Sequence, residues 1–76
     1  MIRAELTLEI EGGGSILAYT VDVSSVSMGV LCKKFIEPGT TVMVHLAGEE
    51  MARPSEASVA HCTHAISGYR IGLVMS

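Results

Sequence analysis

Histidines and cysteines are the residues of this sequence that could bind a metal or act as a nucleophile. His61 and His64 flank Cys62 in the segment HCTH, and Cys32 and His45 lie elsewhere. Structural zinc sites usually present two ligand pairs at short spacing, whereas this chain has one such group. If the segment is a β-strand, His61 points away from both Cys62 and His64, because successive side chains alternate between faces. We therefore predict packed thiols and half-exposed imidazoles, with neither a metal site nor a Cys–His nucleophile.

Three further segments contain residue types that are found in catalytic or phosphate-binding sites. The glycine run EGGGS, residues 11–15, lacks the Gly-Lys-Ser/Thr ending of a phosphate loop and is interpreted as a hairpin turn. The segment SSVSMG, residues 24–29, lacks the glycine that precedes the serine of a nucleophile elbow. Glu49 and Glu50 lie in a polar stretch without the apolar shelter that a catalytic carboxylic acid needs. The sequence therefore predicts a protein that is not an enzyme and has no cofactor.

Polar side chains are concentrated at one bend of an otherwise apolar region. Asp22 is followed by Ser24, Ser25 and Ser27 in VDVSSVSMGV, residues 21–30. Aspartate and serine are common turn formers that hydrogen-bond their own backbone. They are also hydrogen-bond partners for a polar ligand, and these residues alone leave both interpretations open.

Composition limits the classes of protein to which this chain belongs. It has 76 residues, of which 49% are hydrophobic, and a formal net charge of −3. This length predicts a single small domain over residues 1–76. Its core is thin, so the surplus of apolar residues predicts an interface with a partner protein or with a second copy of the chain. The acidic balance, with five Lys and Arg residues, disfavours nucleic acid as a partner.

Neither a secretion signal nor a membrane span is predicted. Charged residues interrupt the N-terminal segment MIRAELTLEI, and the least charged stretch, residues 12–32, is rich in glycine and serine. Two cysteines form no disulfide framework, which is typical of a reducing compartment. We therefore expect a cytoplasmic protein without membrane insertion.

Alternation of apolar and polar residues predicts six short β-strands. They cover residues 6–10, 17–23, 29–36, 42–46, 57–64 and 69–75. In the second of these, Leu17, Tyr19, Val21 and Val23 share one apolar face, and the fifth also fits a helical pattern. Pro38-Gly39 predicts a type II turn, and residues 48–56 are interpreted as a polar loop. Short strands joined by such turns predict a small antiparallel barrel or sandwich, and barrel closure would remove exposed strand edges.

The bend at residues 22–30 resembles the signature of the PilZ family, bacterial domains that bind the second messenger cyclic di-GMP. The family motif (D/N)-x-S-x-x-G, commonly continued as G-M-G-V, matches DVSSVSMGV in register, with Ser27 at the position of the motif glycine. EPGTTVMVHL, residues 37–46, is similar to the turn and strand that follow in the family. ASVAHCTHAISGYRIGLVM, residues 57–75, resembles its closing hairpin. The resemblance covers nearly the whole chain.

The resemblance implies a six-stranded antiparallel β-barrel, in agreement with the strand count. It implies that Asp22 and Ser24 hydrogen-bond a bound dinucleotide, with Ser27 beside them. The first motif of the family, R-x-x-x-R, is matched only by Arg3 as its second arginine, because the first would precede Met1. If the position of Ser27 has positive φ, its Cβ costs roughly 1–2 kcal/mol.

Two functions follow as expectations. The first is a PilZ-like signalling domain with a degenerate nucleotide site, which acts mainly by contacting another protein and whose nucleotide binding is weak or lost. The second is a competent cyclic di-GMP receptor that uses Arg3, Asp22 and Ser24. A small metal- or thiol-based protein ranks behind both.

Overall fold

The computed structural model describes residues 4–48 and 53–76, which form a closed six-stranded antiparallel β-barrel. The strands are β1 Glu5–Ile10, β2 Gly14–Val23, β3 Ser27–Cys32, β4 Thr41–Leu46, β5 Ser55–Ala65 and β6 Gly68–Met75. Around the barrel they follow the order β1-β2-β3-β6-β5-β4, so that β4 closes on β1. These residues include no helix, and hence none that is long and apolar enough to cross a membrane. The predicted all-β barrel is confirmed.

The core fills the inside of the barrel with aliphatic side chains. Leu6 and Leu8 of β1 and Ile71 and Leu73 of β6 are fully or almost fully buried, because alternate residues of each strand face inward. The other buried hydrophobic residues are Ala18, Val30, Cys32, Ile36, Val42, Val44, Ala57 and Val59. Burying a large aliphatic side chain contributes about 1.5–3 kcal/mol, so this cluster supplies the main force for folding.

The connection between β3 and β4 contains the predicted type II turn. The Thr40 amide donates a hydrogen bond of 3.1 Å to the Glu37 carbonyl oxygen, and Gly39 has φ of 95°. A positive φ at this position of a type II turn is the reason that glycine occupies it. The turn prediction is confirmed.

Several strand boundaries differ from the prediction, and two of these differences change how a segment is interpreted. β3 ends at Cys32, yet Ile36 is buried, because the irregular connection after β3 returns this side chain to the core. β5 begins at Ser55, inside the segment interpreted as a loop, and Ser55 pairs with Val44 of β4. The remainder of that segment includes residues 49–52, which lie outside the described residues. An apolar residue pattern indicates which side chains are buried, but a buried side chain such as that of Ile36 need not belong to a strand.

The predicted shared face of Leu17, Tyr19, Val21 and Val23 is broken by a shift of register between Thr20 and Asp22. Beyond this shift Val23 pairs with Met28 on the inward side, whereas before it the strand turns the face opposite to Leu17 and Tyr19 toward the core. Ala18 and Thr20 are buried, whereas Leu17 is 46% and Tyr19 40% exposed. The Thr20 hydroxyl accepts a hydrogen bond of 2.9 Å from the Ala4 amide, which satisfies the one buried polar side chain found in the described residues. The small interior therefore takes small side chains from β2 opposite the larger ones of its neighbours.

Candidate functional site

Four neighbouring strands place Asp22 and His61 on either side of two glycines. Asp22 of β2 pairs with Gly29 of β3, Gly29 pairs with Gly72 of β6, and Gly72 pairs with His61 of β5. Neighbouring strands are about 4.8 Å apart, so this row crosses three strand spacings of the barrel surface. The sequence distance between its ends gives no indication that they are neighbours in space.

A β-bulge precedes each polar end of the row. The register shifts between Thr20 and Asp22 in β2, and again between Val59 and His61 in β5. Simple alternation from the buried residues Thr20 and Val59 would direct Asp22 and His61 inward. One extra residue in each strand reverses that alternation, so both side chains point to the outer surface. Bulges of this kind often redirect side chains next to functional sites.

At the two central positions of the row, a side chain would meet the polar groups that lie at its ends. A Cβ on Gly29 would lie 3.0 Å from Oδ1 of Asp22, and a Cβ on Gly72 would overlap the imidazole of His61. The carboxylate and the imidazole therefore lie directly over bare backbone. Gly29 and Gly72 thus form a floor of bare backbone, the glycine floor, with the Asp22 carboxylate at one side and the His61 imidazole at the other.

Arg70 connects β6 to β2 across the intervening strand β3. Its Nη2 lies 2.9 Å from Oδ2 of Asp22. Arg70 is two residues from Gly72 and shares its outward face, and Gly29 lacks the side chain that would separate the two charged groups. The arginine and aspartate side chains are 49% and 63% exposed. An ion pair exposed to this degree contributes at most about 1 kcal/mol to folding.

Ser24 and Ser27 hold the turn between β2 and β3. Their hydroxyl oxygens are 2.8 Å apart, the Ser27 amide donates to the Ser24 hydroxyl at 3.1 Å, and the Ser24 amide donates to the Ser27 carbonyl oxygen at 2.8 Å. No residue other than glycine has positive φ in the part of the chain that the structure describes. The conditional strain predicted for Ser27 is therefore absent.

These groups border a shallow depression of about 180 Å³ on the outer surface. Its lining includes Asp22, Ser27, Gly29, His61, Arg70 and Gly72. It combines a carboxylate, a hydroxyl, an imidazole and a guanidinium around the glycine floor, which suits a flat polar ligand. Of the four residues predicted to bind ligand, Asp22 and Ser27 line this depression. Ser24 does not line it, but its hydroxyl is hydrogen-bonded to that of Ser27. Arg3 lies outside the described residues.

The sequence prediction did not include Arg70 or His61 as site residues. Arg70 and Gly72 lie in the segment GYRIG, and strand alternation alone places both on the face opposite to Ile71. That signal was available in the sequence. His61 reaches the outer surface only through the bulge in β5, for which the sequence shows no clear signal.

The remaining histidine and cysteine predictions concern β5 and β3. His61 pairs with Gly72 and His64 with Tyr69, on opposite faces of β5 as predicted for a strand. Burial raises the pKa of the Cys32 thiol, the hydrogen bond to the Lys34 carbonyl oxygen lowers it in part, and nearby Cys62 raises it further. Residues 4–48 and 53–76 contain no group of three or more His, Cys, Asp or Glu side chains that could hold a metal ion.

The chain matches no protein-family model, and no curated protein is significantly similar to it in sequence. Its resemblance to the PilZ family therefore rests on the motifs themselves. Any functional conclusion depends on the geometry of the depression and of the surface around it.

Proposed function

We propose that this chain is a PilZ-like regulatory module that acts mainly by contacting another protein, and whose binding of cyclic di-GMP is weak or lost. One observation carries the proposal. Arg70, the one permanent cation that lines the depression among the described residues, is already paired with Asp22 at 2.9 Å. A cyclic dinucleotide has two phosphates, and a guanidinium neutralised by a carboxylate attracts them weakly.

The serines of the motif support the same proposal. Ser24 and Ser27 satisfy each other through a hydroxyl–hydroxyl distance of 2.8 Å and through two backbone hydrogen bonds of 2.8 and 3.1 Å. A ligand would have to compete with these contacts inside the turn. The motif residues thus have a sufficient role as a scaffold for the bend.

Contact with another protein is supported by an apolar surface next to Arg70. Tyr19 of β2 pairs with Leu31 of β3, which in turn pairs with Arg70 of β6. Leu17 lies two residues from Tyr19 on the same outward face, and both are at least 40% exposed. Tyrosine and arginine are enriched in the buried centres of protein interfaces. We call Leu17, Tyr19, Leu31 and Arg70 the Tyr19 surface.

A calorimetric titration of cyclic di-GMP into the folded chain at low salt, with GTP as the control nucleotide, tests the loss of nucleotide binding. We expect no saturable heat at micromolar concentrations. Saturable heat with cyclic di-GMP and none with GTP would overturn the proposal in favour of the receptor function.

Capture experiments test the interaction with a protein. The wild-type chain and the variants Tyr19→Asp and Asp22→Ala are immobilised separately. Each is exposed to a lysate of the organism that encodes the wild-type chain. We expect one specific protein to be retained by the wild type and by Asp22→Ala, and lost with Tyr19→Asp. Equal retention by all three variants, or no specific protein at all, would count against the Tyr19 surface.

A cyclic di-GMP receptor is the second candidate function, and the convergence of Asp22, Ser27, His61 and Arg70 on one depression favours it. Releasing Arg70 from its exposed partner would cost at most about 1 kcal/mol, or about fivefold in affinity. In this case Asp22→Ala and Arg70→Gln should each abolish saturable heat. Arg53→Gln is the matched control, because Arg53 does not line this depression.

A further inference from the structure

A larger cavity of about 370 Å³ opens at the end of the barrel where β1 begins and β6 ends. Its apolar lining includes Met28, Val44, Leu46, Pro54 and Met75. It shares Met28 with the depression described above, and Asp22, His61 and Arg70 do not line it. The proposed function uses none of the other lining residues.

The apolar side chains of this cavity belong to the inward faces of their strands. Directly paired residues of neighbouring strands lie on the same face, and the partly exposed lining residues Leu46, Met28 and Met75 each have a buried partner. These pairs are Leu46 with Leu6, Met28 with Leu73, and Met75 with Ala57. These apolar side chains therefore form an open end of the barrel interior, whereas Thr7 and His45, which also line the cavity, belong to the outward face.

The core is only partly covered at this end. Leu46 is 43% exposed, and Met28 and Met75 are half-buried at the edge of the core. Thioether side chains are flexible and polarisable, so they adapt to ligands of different shape. An apolar chain entering this end would extend the core and remove these side chains from water.

The rim of the cavity adds a positive charge. Arg53 lines it, and within residues 4–48 and 53–76 the salt bridges are His45 with Glu9 and Arg70 with Asp22. His45 also lines the cavity, but its Nε2 lies 3.1 Å from Oε1 of Glu9. Among the described residues that line the cavity, Arg53 is the permanent cation, and it is the group that would pair with an incoming anion. The planar guanidinium matches a carboxylate with two parallel hydrogen bonds.

We propose that this cavity binds an apolar monocarboxylate of the medium-chain fatty acid class. The chain lies against Met28 and Met75, and the carboxylate pairs with Arg53 at the rim. A volume of about 370 Å³ is at the lower end of the range of small-molecule sites, about 300–1,000 Å³, which suits one such chain. One guanidinium also balances a single negative charge.

Titration of decanoate into the isotopically labelled full chain, below the critical micelle concentration of decanoate, tests the site by NMR. We expect saturable shifts of the Met28 and Met75 methyl signals. Affinity should rise about fourfold per methylene from octanoate to decanoate, the value for burial of one methylene. Decanol, which has no charge, should bind about fivefold more weakly. Absence of saturable shifts, shifts confined to other methyl groups, or equal affinity for decanol would overturn the proposal.

Two pairs of variants locate the ligand. Arg53→Gln should lower decanoate affinity about fivefold and leave decanol unaffected, whereas Arg70→Gln, remote from this cavity, should change neither. Leu46→Glu should abolish decanoate binding, and the exposure of Leu46 lets the chain fold. Val26→Glu is the matched control, since Val26 is exposed and bonded to Met75 through its backbone but does not line the cavity. Unchanged affinity in Arg53→Gln, or in a folded Leu46→Glu, would overturn the proposal.

Discussion

Asp22 and Arg70 form an ion pair of 2.9 Å although strand β3 runs between their strands. The contact depends on Gly29, which leaves the surface of β3 bare, and on the bulge that directs Asp22 outward. It joins the strand that leads into the Ser-rich bend to the last strand of the barrel. The motif aspartate therefore has a partner within the chain, and a ligand that binds Asp22 must compete with its ion pair to Arg70.

The Asp22–Arg70 pair should stabilise the fold only slightly. In a double-mutant cycle of Asp22→Asn and Arg70→Gln, we expect a coupling energy of about 0.2–1 kcal/mol at low salt. Because both groups are exposed, the coupling should approach zero at 1 M salt, where the Debye length is about 3 Å. Urea unfolding of the four proteins measures it. A parallel cycle of Asp22→Asn with Arg53→Gln should give no coupling, and a value above about 2 kcal/mol for the first cycle would contradict this account.

Two glycines of β6 should respond very differently to alanine. A Cβ on Gly68 would overlap the carbonyl oxygen of Cys32, a backbone atom held by the pairing of β3 with β6. We expect Gly68→Ala to lower the free energy of unfolding by about 2–3 kcal/mol. A Cβ on Gly72 meets only the exposed imidazole of His61, which can swing away, so Gly72→Ala should cost less than about 1 kcal/mol. Urea unfolding of both variants measures the difference, and equal losses would show that the close approach at Gly68 is not rigid.

The inverted face of β2 can be tested with two leucines. Leu8 is fully buried in β1, and Leu8→Ala should cost about 2–5 kcal/mol, enough to unfold a large fraction of a small domain. Leu17 is 46% exposed on the outer face of β2, and Leu17→Ala should cost less than about 1 kcal/mol. Thermal unfolding followed by circular dichroism gives both values. If Leu17→Ala loses as much stability as Leu8→Ala, Leu17 must be buried in the core, which would contradict the outward orientation of this face.

The fold was predictable from the sequence because, in most strands, apolar residues that face the core alternate with polar residues that face the solvent. In β1 the alternating pattern identifies Leu6 and Leu8 correctly as core residues. In β2 the same method fails, since the larger apolar residues Leu17 and Tyr19 lie outside and Ala18 lies inside. A pattern of period two shows that two faces differ, but the volume left by the neighbouring strands decides which face is buried.

The site was predictable only where its contacts are local. Ser24 and Ser27 are three residues apart, and their type and spacing indicate a turn whether or not a ligand binds. Arg70 is 48 residues from Asp22 in sequence, and their contact depends on strand order, on the bulge in β2 and on the bare surface at Gly29. None of these follows from one sequence, because long-range register is set by packing of the whole barrel.

Cys32 should make the stability of the chain depend on pH in the alkaline range. Burial raises the pKa of this thiol above its ordinary value of 9.0, with a smaller contribution from Cys62 in the same direction, against the hydrogen bond to Lys34. The unfolded chain therefore releases this proton at lower pH than the folded chain does. The stabilising contribution is complete below the ordinary pKa and is lost as the pH rises through the raised pKa of the folded state.

Comparison of variants isolates this effect from the other groups that titrate at high pH. The free energy of unfolding is measured by urea denaturation between pH 7.5 and 10.5 for the wild type, Cys32→Ala and Cys62→Ala. Cys32→Ala should be less stable throughout because it leaves a cavity in the core, but its stability should fall less steeply above pH 9. Cys62→Ala should retain most of the wild-type slope, since burial of Cys32 is the main cause of the shift. Parallel curves for the wild type and Cys32→Ala would show that the thiol has the same pKa in both states.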